Sequence, residues 1–250
     1  MNVDTELSVK GFCFRGFAEN TVVAEMVKAI GLDRIDLSGC QVSWKDPASH
    51  RPAIEAFGRH GVHIVGIGCV QLSGEPDDIE YFNFCREAGC DTISLSGNPA
   101  TFLPALHQAQ RWAEEYNIRL AIHNHGGNHW LGNSQMLSHV LAQCNERVGL
   151  CLDTAWCIQA GENPIEWLKH FRHRIYAVHF KDFRFDPKGN VEDVIVGEGA
   201  LDLPAFVKGL SDQNFTGPAI VEYEGDVDNP VPALKTCVQR MRQVFQNLNR

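Results

Sequence analysis

The sequence predicts a single (β/α)8 barrel spanning residues 1–250. Three observations carry that prediction. Eight apolar, strand-like runs alternate with eight amphipathic, helix-like stretches, and no low-complexity break or linker separates them. The runs are apolar on both faces, as a parallel sheet covered by helices requires. The last four runs end in histidines and carboxylates, at the C-terminal strand ends where such barrels place their chemistry. A doubly wound open sheet usually has fewer strands, and no Gly-x-Gly-x-x-Gly follows the first run to hold a dinucleotide.

The elements follow in order. Lys10–Phe17 is short, aromatic-rich and closed by Gly16, a first strand. Asn20 can cap a helix through Ile30, with Val23, Met26, Val27 and Ile30 on one face and Gly31 after its end. Arg34–Ser38 is the second strand, with Asp36 inside it, and Arg51–His60 the second helix, stopped by Gly61. Val62–Val70 is a glycine-interrupted buried strand, and Pro76 opens a helix to Ala88. Thr92–Ser96 and Phe102–Tyr116 complete the fourth pair. Strand five starts at Arg119 and ends at His125, before a loop with His129 and Trp130 and a helix from Ser134 to Cys144. Strand six is Val148–Asp153, followed by a helix at Pro164–Phe171, and strand seven runs from Ile175 to Lys181. The stretch Asp182–Leu201 then reads as a long loop, and long loops in compact domains are commonly lids. Pro204–Gln213, the strand Pro218–Glu224 and the helix Pro232–Leu248 close the chain.

Composition narrows the function. The chain is 44% hydrophobic and 21% charged, enough for a sizeable core. A net charge of -9 repels a polyanion on average, so nucleic acid is not the expected partner. No run approaches a membrane span, and the acidic N-terminus lacks a signal-peptide hydrophobic region. The nine cysteines are odd in number, scattered and without a Cys-x-x-Cys pair, which points to a reduced, cytoplasmic protein without disulfides. A homo-oligomer is left open.

Side chains alternate along a strand, so His123 and His125 share one face of strand five while Asn124 takes the other. His123, Asp153, His179 and Glu222 then occupy the ends of four consecutive strands. Adjacent strands are ~4.8 Å apart, close enough for four such side chains to meet on one ion. Any one of them alone would be an ordinary hydrogen-bonded polar group at a strand end. Four on successive strands point to one divalent metal. Mixed imidazole and carboxylate ligands suit Mn²⁺ first, with Zn²⁺, Co²⁺ and Fe²⁺ as alternatives. Lys181 and Arg184 are candidates to hold substrate oxygens or an anionic group, the competing reading being ion pairs with Asp182 or Glu224. Asp36, Glu224 and His129 are candidate substrate contacts by position. Trp156 can stack on a sugar face or pack in the core.

Five motifs add a resemblance. Asn124-His125-Gly126-Gly127, Leu152-Asp153-Thr154-Ala155-Trp156, His179-Phe180-Lys181-Asp182, Gly197-x-Gly199-x-x-Asp202 and Val221-Glu222-Tyr223-Glu224 together resemble the xylose-isomerase-like TIM-barrel superfamily. That superfamily includes sugar isomerases and epimerases, inosose dehydratases and ketoglycoside lyases. The resemblance implies a carbohydrate substrate and a metal bound by a Glu, an Asp, a His and a Glu on strands five to eight. Carried over, the ligands are His123, Asp153, His179 and Glu222. The departure is His123, where many epimerases have the first of two opposed glutamates. The resemblance is nearest to the inosose dehydratase and ketosugar-lyase branches. The imidazoles His123 and His125 facing the carboxylates Glu222 and Glu224 suit enolisation followed by β-elimination. A carboxylate takes the carbon-bound proton and an imidazolium such as His125 protonates the leaving oxygen. His125, Glu222 and His123 are the catalytic candidates. A sugar isomerase or epimerase, a non-catalytic barrel with a degraded site, and an endonuclease-type relative are the other readings. The last needs a basic groove, against which the net charge of -9 counts.

Overall fold

The computed structural model describes residues 7–248. Eight parallel strands close into a barrel: β1 (Leu7–Lys10), β2 (Arg34–Leu37), β3 (His63–Leu72), β4 (Thr92–Gly97), β5 (Arg119–His123), β6 (Val148–Asp153), β7 (Ile175–Phe180) and β10 (Ala219–Val221), which pairs back onto β1. The helices α1 (Asn20–Ala29), α2 (His50–Arg59), α3 (Ile79–Ala88), α4 (Phe102–Tyr116) and α5 (Ser134–Leu141) follow β1 to β5 in turn. After β6 come α6 (Thr154–Gln159) and α7 (Pro164–His170); α8 (Leu203–Asp212) and α9 (Val231–Leu248) flank β10. The expected barrel is the observed one.

Local chemistry sets the ends of these elements. In α4, Phe102, Leu106, Ala109 and Ala113 form one buried stripe, and Asn117 stops the helix in the left-handed conformation at φ 55°. Asp202 caps α8 by accepting the Ala205 N–H at 3.1 Å, with Pro204 in the first turn, where a missing N–H costs nothing. No helix among the described residues is long and apolar enough to cross a membrane, and all nine cysteines are free thiols.

Three expectations change. The first strand is Leu7–Lys10, and the aromatic run beyond it, Gly11–Phe14, coils into a 3-10 turn with Cys13 and Phe14 buried. Hydrophobicity alone does not separate a buried turn from a buried strand. Strand five ends at His123, so His125 stands on the loop beyond it. The expected loop Asp182–Leu201 contains an antiparallel hairpin, β8 (Asp182–Phe185) with β9 (Val191–Val194). Its base is tied down by Asp182, whose carboxylate accepts the N–H groups of Gly197 and Gly199 at 2.9 Å each and of Leu201 at 3.0 Å. Gly199 is required there, because a Cβ would come within 2.4 Å of Asp182 Oδ1.

The barrel interior is layered. Ala121, Cys151, Ala177 and Ile220 pack together as a small apolar floor. Two residues further along the same strands stand His123, Asp153, His179 and Glu222, pointing the same way because the side-chain period is two.

Candidate metal centre and its cavity

All four of these residues are buried, Asp153 fully and His179 to within 1%. Strand register brings Asp153 directly beside His179. His123 Nε2 lies 3.1 Å from His179 Nδ1 and 3.7 Å from Asp153 Oδ2. His179 Nδ1 lies 2.7 Å from Glu222 Oε2 and 3.9 Å from Asp153 Oδ2. Yet Asp153 Oδ2 and Glu222 Oε2 have no aligned hydrogen-bond donor. Metal–ligand bonds of about 2.0–2.2 Å put neighbouring ligand atoms about 3–3.5 Å apart, a value these contacts straddle. Two orphaned carboxylate oxygens facing two imidazole nitrogens suit a divalent ion of the zinc or manganese kind better than they suit one another.

Hydrogen bonds on the outer side of the strands hold these ends in place. Asn124, on the opposite face from His123 as its alternation requires, donates to the Asp153 carbonyl at 3.0 Å and accepts the Asp153 N–H at 2.8 Å. Thr154 Oγ1 donates to the Lys181 carbonyl at 2.6 Å and accepts the Lys181 N–H at 3.1 Å. Asp153 itself serves twice. Oδ1 caps α6 by accepting the Trp156 N–H at 2.9 Å, leaving Oδ2 for the cluster. Neither clamp is visible as a motif, since each joins residues about 30 apart.

A cavity of about 390 Å³ opens over the cluster, and His123, His125, Trp156, His179, Glu222 and Glu224 are part of its lining. A second cavity, of about 540 Å³, lies at the other end of the barrel against the strand starts Arg34, His63 and Arg119, away from the cluster. Lys181 is buried between Glu222 (3.3 Å), Asp193 of the hairpin (3.5 Å) and Glu224. Burial alone would lower its pKa, but Glu222 and the neighbouring carboxylates more than reverse this and keep it cationic. Glu222 is held low despite burial, by Lys181 and His179. Burial and the nearby Glu222 push Asp153 up to about 6, and burial pushes Asp193 up to about 7. His123 is lowered by burial and by His179, and His125 is lowered to about 3 by burial and by His123. His125 is therefore a neutral imidazole.

The remaining sequence candidates take different places. Asp36 is buried in an ion pair with Lys10, the partner that sequence reasoning missed. His129 stands one layer out, stacked on His125 with ring centroids 4.5 Å apart. Arg184 is exposed on β8 and pairs with Glu192 at 3.2 Å, because the hairpin turns it away from the cavity. Trp156 lines the cavity but also packs edge-on against Phe183 at 4.8 Å.

A sequence model described as xylose isomerase-like TIM barrel matches residues 25–244. An inosose dehydratase from Clostridium botulinum is 27% identical over 143 residues, covering 50% of this chain and 48% of the relative. An inosose dehydratase 2 from Bacillus cereus is 28% identical over 226 residues, covering 84% and 72%. The crystal structure of the IolI protein with a bound zinc atom superposes with a TM-score of 0.74 at 18% identity, covering 97% of this chain and 98% of that one. The chain spans about half the length of the Clostridium relative it matches.

Proposed function

We propose that this chain, which belongs to the xylose isomerase-like TIM-barrel family, is a divalent-metal-dependent enzyme that eliminates a β-oxygen substituent from a cyclic keto-polyol of the inosose type. The observation that carries this reading is a single neutral base beside the four-ligand cluster. Of the cavity's titratable groups other than the thiols Cys40 and Cys69, Lys10 is paired with Asp36, Glu224 with Lys181, and His123, His179 and Glu222 belong to the cluster with Asp153. His125 remains, uncharged and lining the cavity.

The bound ion would supply a Lewis acid that polarises a carbonyl and acidifies the adjacent C–H. His123, Asp153, His179 and Glu222 are its ligands. His125, as free imidazole, accepts the carbon-bound proton. The resulting imidazolium then returns that proton to the departing hydroxyl, so one group serves as base and acid in turn. This revises the expectation from sequence, in which His125 begins as the acid. Burial holds it neutral, so it must take a proton before it gives one. Lys181 stays charged throughout and steadies negative charge on substrate oxygens. Inversion at carbon needs two bases on opposite faces, and here Glu224 is paired with Lys181.

Inosose dehydratases are among the relatives similar in sequence, which supports the substrate class. The test is an NMR time course in D₂O with an inosose as substrate. The expected result is an unsaturated or dicarbonyl product formed with loss of water. A deuterated stereoisomer as sole product would show an epimerase instead.

A further inference from the structure

Next to the four-residue cluster the cavity wall carries another group of ligand-type side chains. Cys69 on β3, His123 and His125 each offer an atom within 4.8 Å of the others. All three line the cavity, so an ion has a path to them. His123 directs Nε2 at His179 and Asp153, at 3.1 and 3.7 Å, which leaves Nδ1 on the other edge of the ring. That Nδ1 and the Nδ1 of His125 are both buried without a hydrogen-bond partner. The two rings sit with centroids 4.6 Å apart. Buried imidazole nitrogens without partners are costly, and a shared cation would satisfy them together with the thiol.

We propose that Cys69, His123 and His125 form a second cation site for thiophilic divalent ions, beside the four-residue site and sharing His123 with it. The donor set decides the class of ion. A sulfur and two imidazoles suit Zn²⁺ and Co²⁺, whereas Mg²⁺ and Mn²⁺ favour oxygen-rich shells. Three protein ligands also leave a coordination position open toward the cavity. Binding there displaces the thiol proton and, when the first site is filled, the remaining ring proton of His123, which then bridges the two ions as an imidazolate; it also occupies His125. The second ion is therefore an inhibitor of the proposed reaction. That consequence rests on His125 being the base; the site itself does not.

Titration of metal-free protein with Co²⁺ reads both sites without turnover. Nitrogen and oxygen ligation gives weak visible bands, and a thiolate adds an intense charge-transfer band in the near ultraviolet. The expected titration takes up two cobalt ions per chain, with the thiolate band growing in with the second. Cys69→Ser should lose the band and the second ion and keep the first. Asp153→Ala should keep the band and lose the other site's visible absorption. His125→Gln, which carries the test if Cys69→Ser does not fold, should weaken the second site about tenfold or more. A titration that ends at one cobalt with no thiolate band overturns the second site and leaves the first standing. No cobalt uptake at all overturns both, and a thiolate band that survives Cys69→Ser overturns the assignment to Cys69.

Discussion

The two halves of the barrel interior both bury charge, and they neutralise it differently. In the first half, Lys10 on β1 meets Asp36 on β2 and donates a second hydrogen bond to the Gly68 carbonyl at 2.6 Å. Room for this pair is built into the wall, since a Cβ on Gly66 would lie 2.7 Å from Asp36 Oδ2. One cation and one anion close on each other. In the second half, Asp153 and Glu222 face two imidazoles and still have unpartnered oxygens. A buried charge that is paired within the fold is structure. A buried charge left without a partner is the feature by which a ligand site is recognised.

The contrast can be broken most severely at Asp153. Asp153→Ala should remove the metal and lower turnover by about a thousandfold or more, consistent with the several kcal/mol that a metal Lewis acid supplies. Circular dichroism should show the barrel retained, because the change deletes one hydrogen bond, the Oδ1 cap on the Trp156 N–H, and an Oδ2 that already lacked a partner. Metal analysis and turnover of the purified variant check both halves of this statement. Activity that survives the variant, or prolonged chelation of the unmodified protein, would remove the metal from the mechanism.

Lys10→Met should do the opposite, costing stability in place of metal. It strands Asp36 in the barrel, and breaking a buried pair in this way costs roughly 3–5 kcal/mol. Denaturant unfolding measures the loss, and adding Asp36→Leu should recover much of it. A Lys10→Met protein as stable as the parent would show that the pair is not the keystone of its half.

Asp193 sharpens the comparison, because it lies on the hairpin and reaches Lys181 at 3.5 Å. Burial raises its folded pKa to about 7, against about 4 for a free carboxyl. The folded state thus holds this proton more tightly than the unfolded chain does. Its contribution to stability is full below about pH 4 and is lost as pH rises toward 7, on the order of 4 kcal/mol. Melting temperature should therefore fall across this window, and Asp193→Asn should flatten that part of the profile. An unchanged slope in the variant would assign the pH dependence to other groups.

Arg184→Ala should do least. The pair with Glu192 is exposed on both sides, at 55% and 67% of side-chain area, and such pairs are worth about 0–1 kcal/mol. Turnover, KM and melting temperature should all stay near the parent values. A marked rise in KM would return Arg184 to the substrate site.

The barrel, and the four strand-end residues it brings together, were legible in the chain itself. Strands announce themselves by local apolar runs, and the period of two puts His123, Asp153, His179 and Glu222 on one interior face once their strand ends are located. Asn124 was placed on the opposite face by the same rule, but its clamp on Asp153 was not foreseeable. What tertiary structure alone decided is pairing across strands. Asp36 read as a substrate contact until Lys10, 26 residues away, appeared beside it. Nothing near Cys69 in the chain marks it as a ligand, and only the closed barrel set it against His123 and His125. Arg184 read as a substrate group on the loop after Lys181, and that stretch folds as a hairpin that carries it to the surface. Sequence periodicity reports which face a side chain takes, because that depends on local backbone geometry. Which charge it meets there, and whether any charge is left over for a ligand, depends on barrel closure and register, which join residues from different strands.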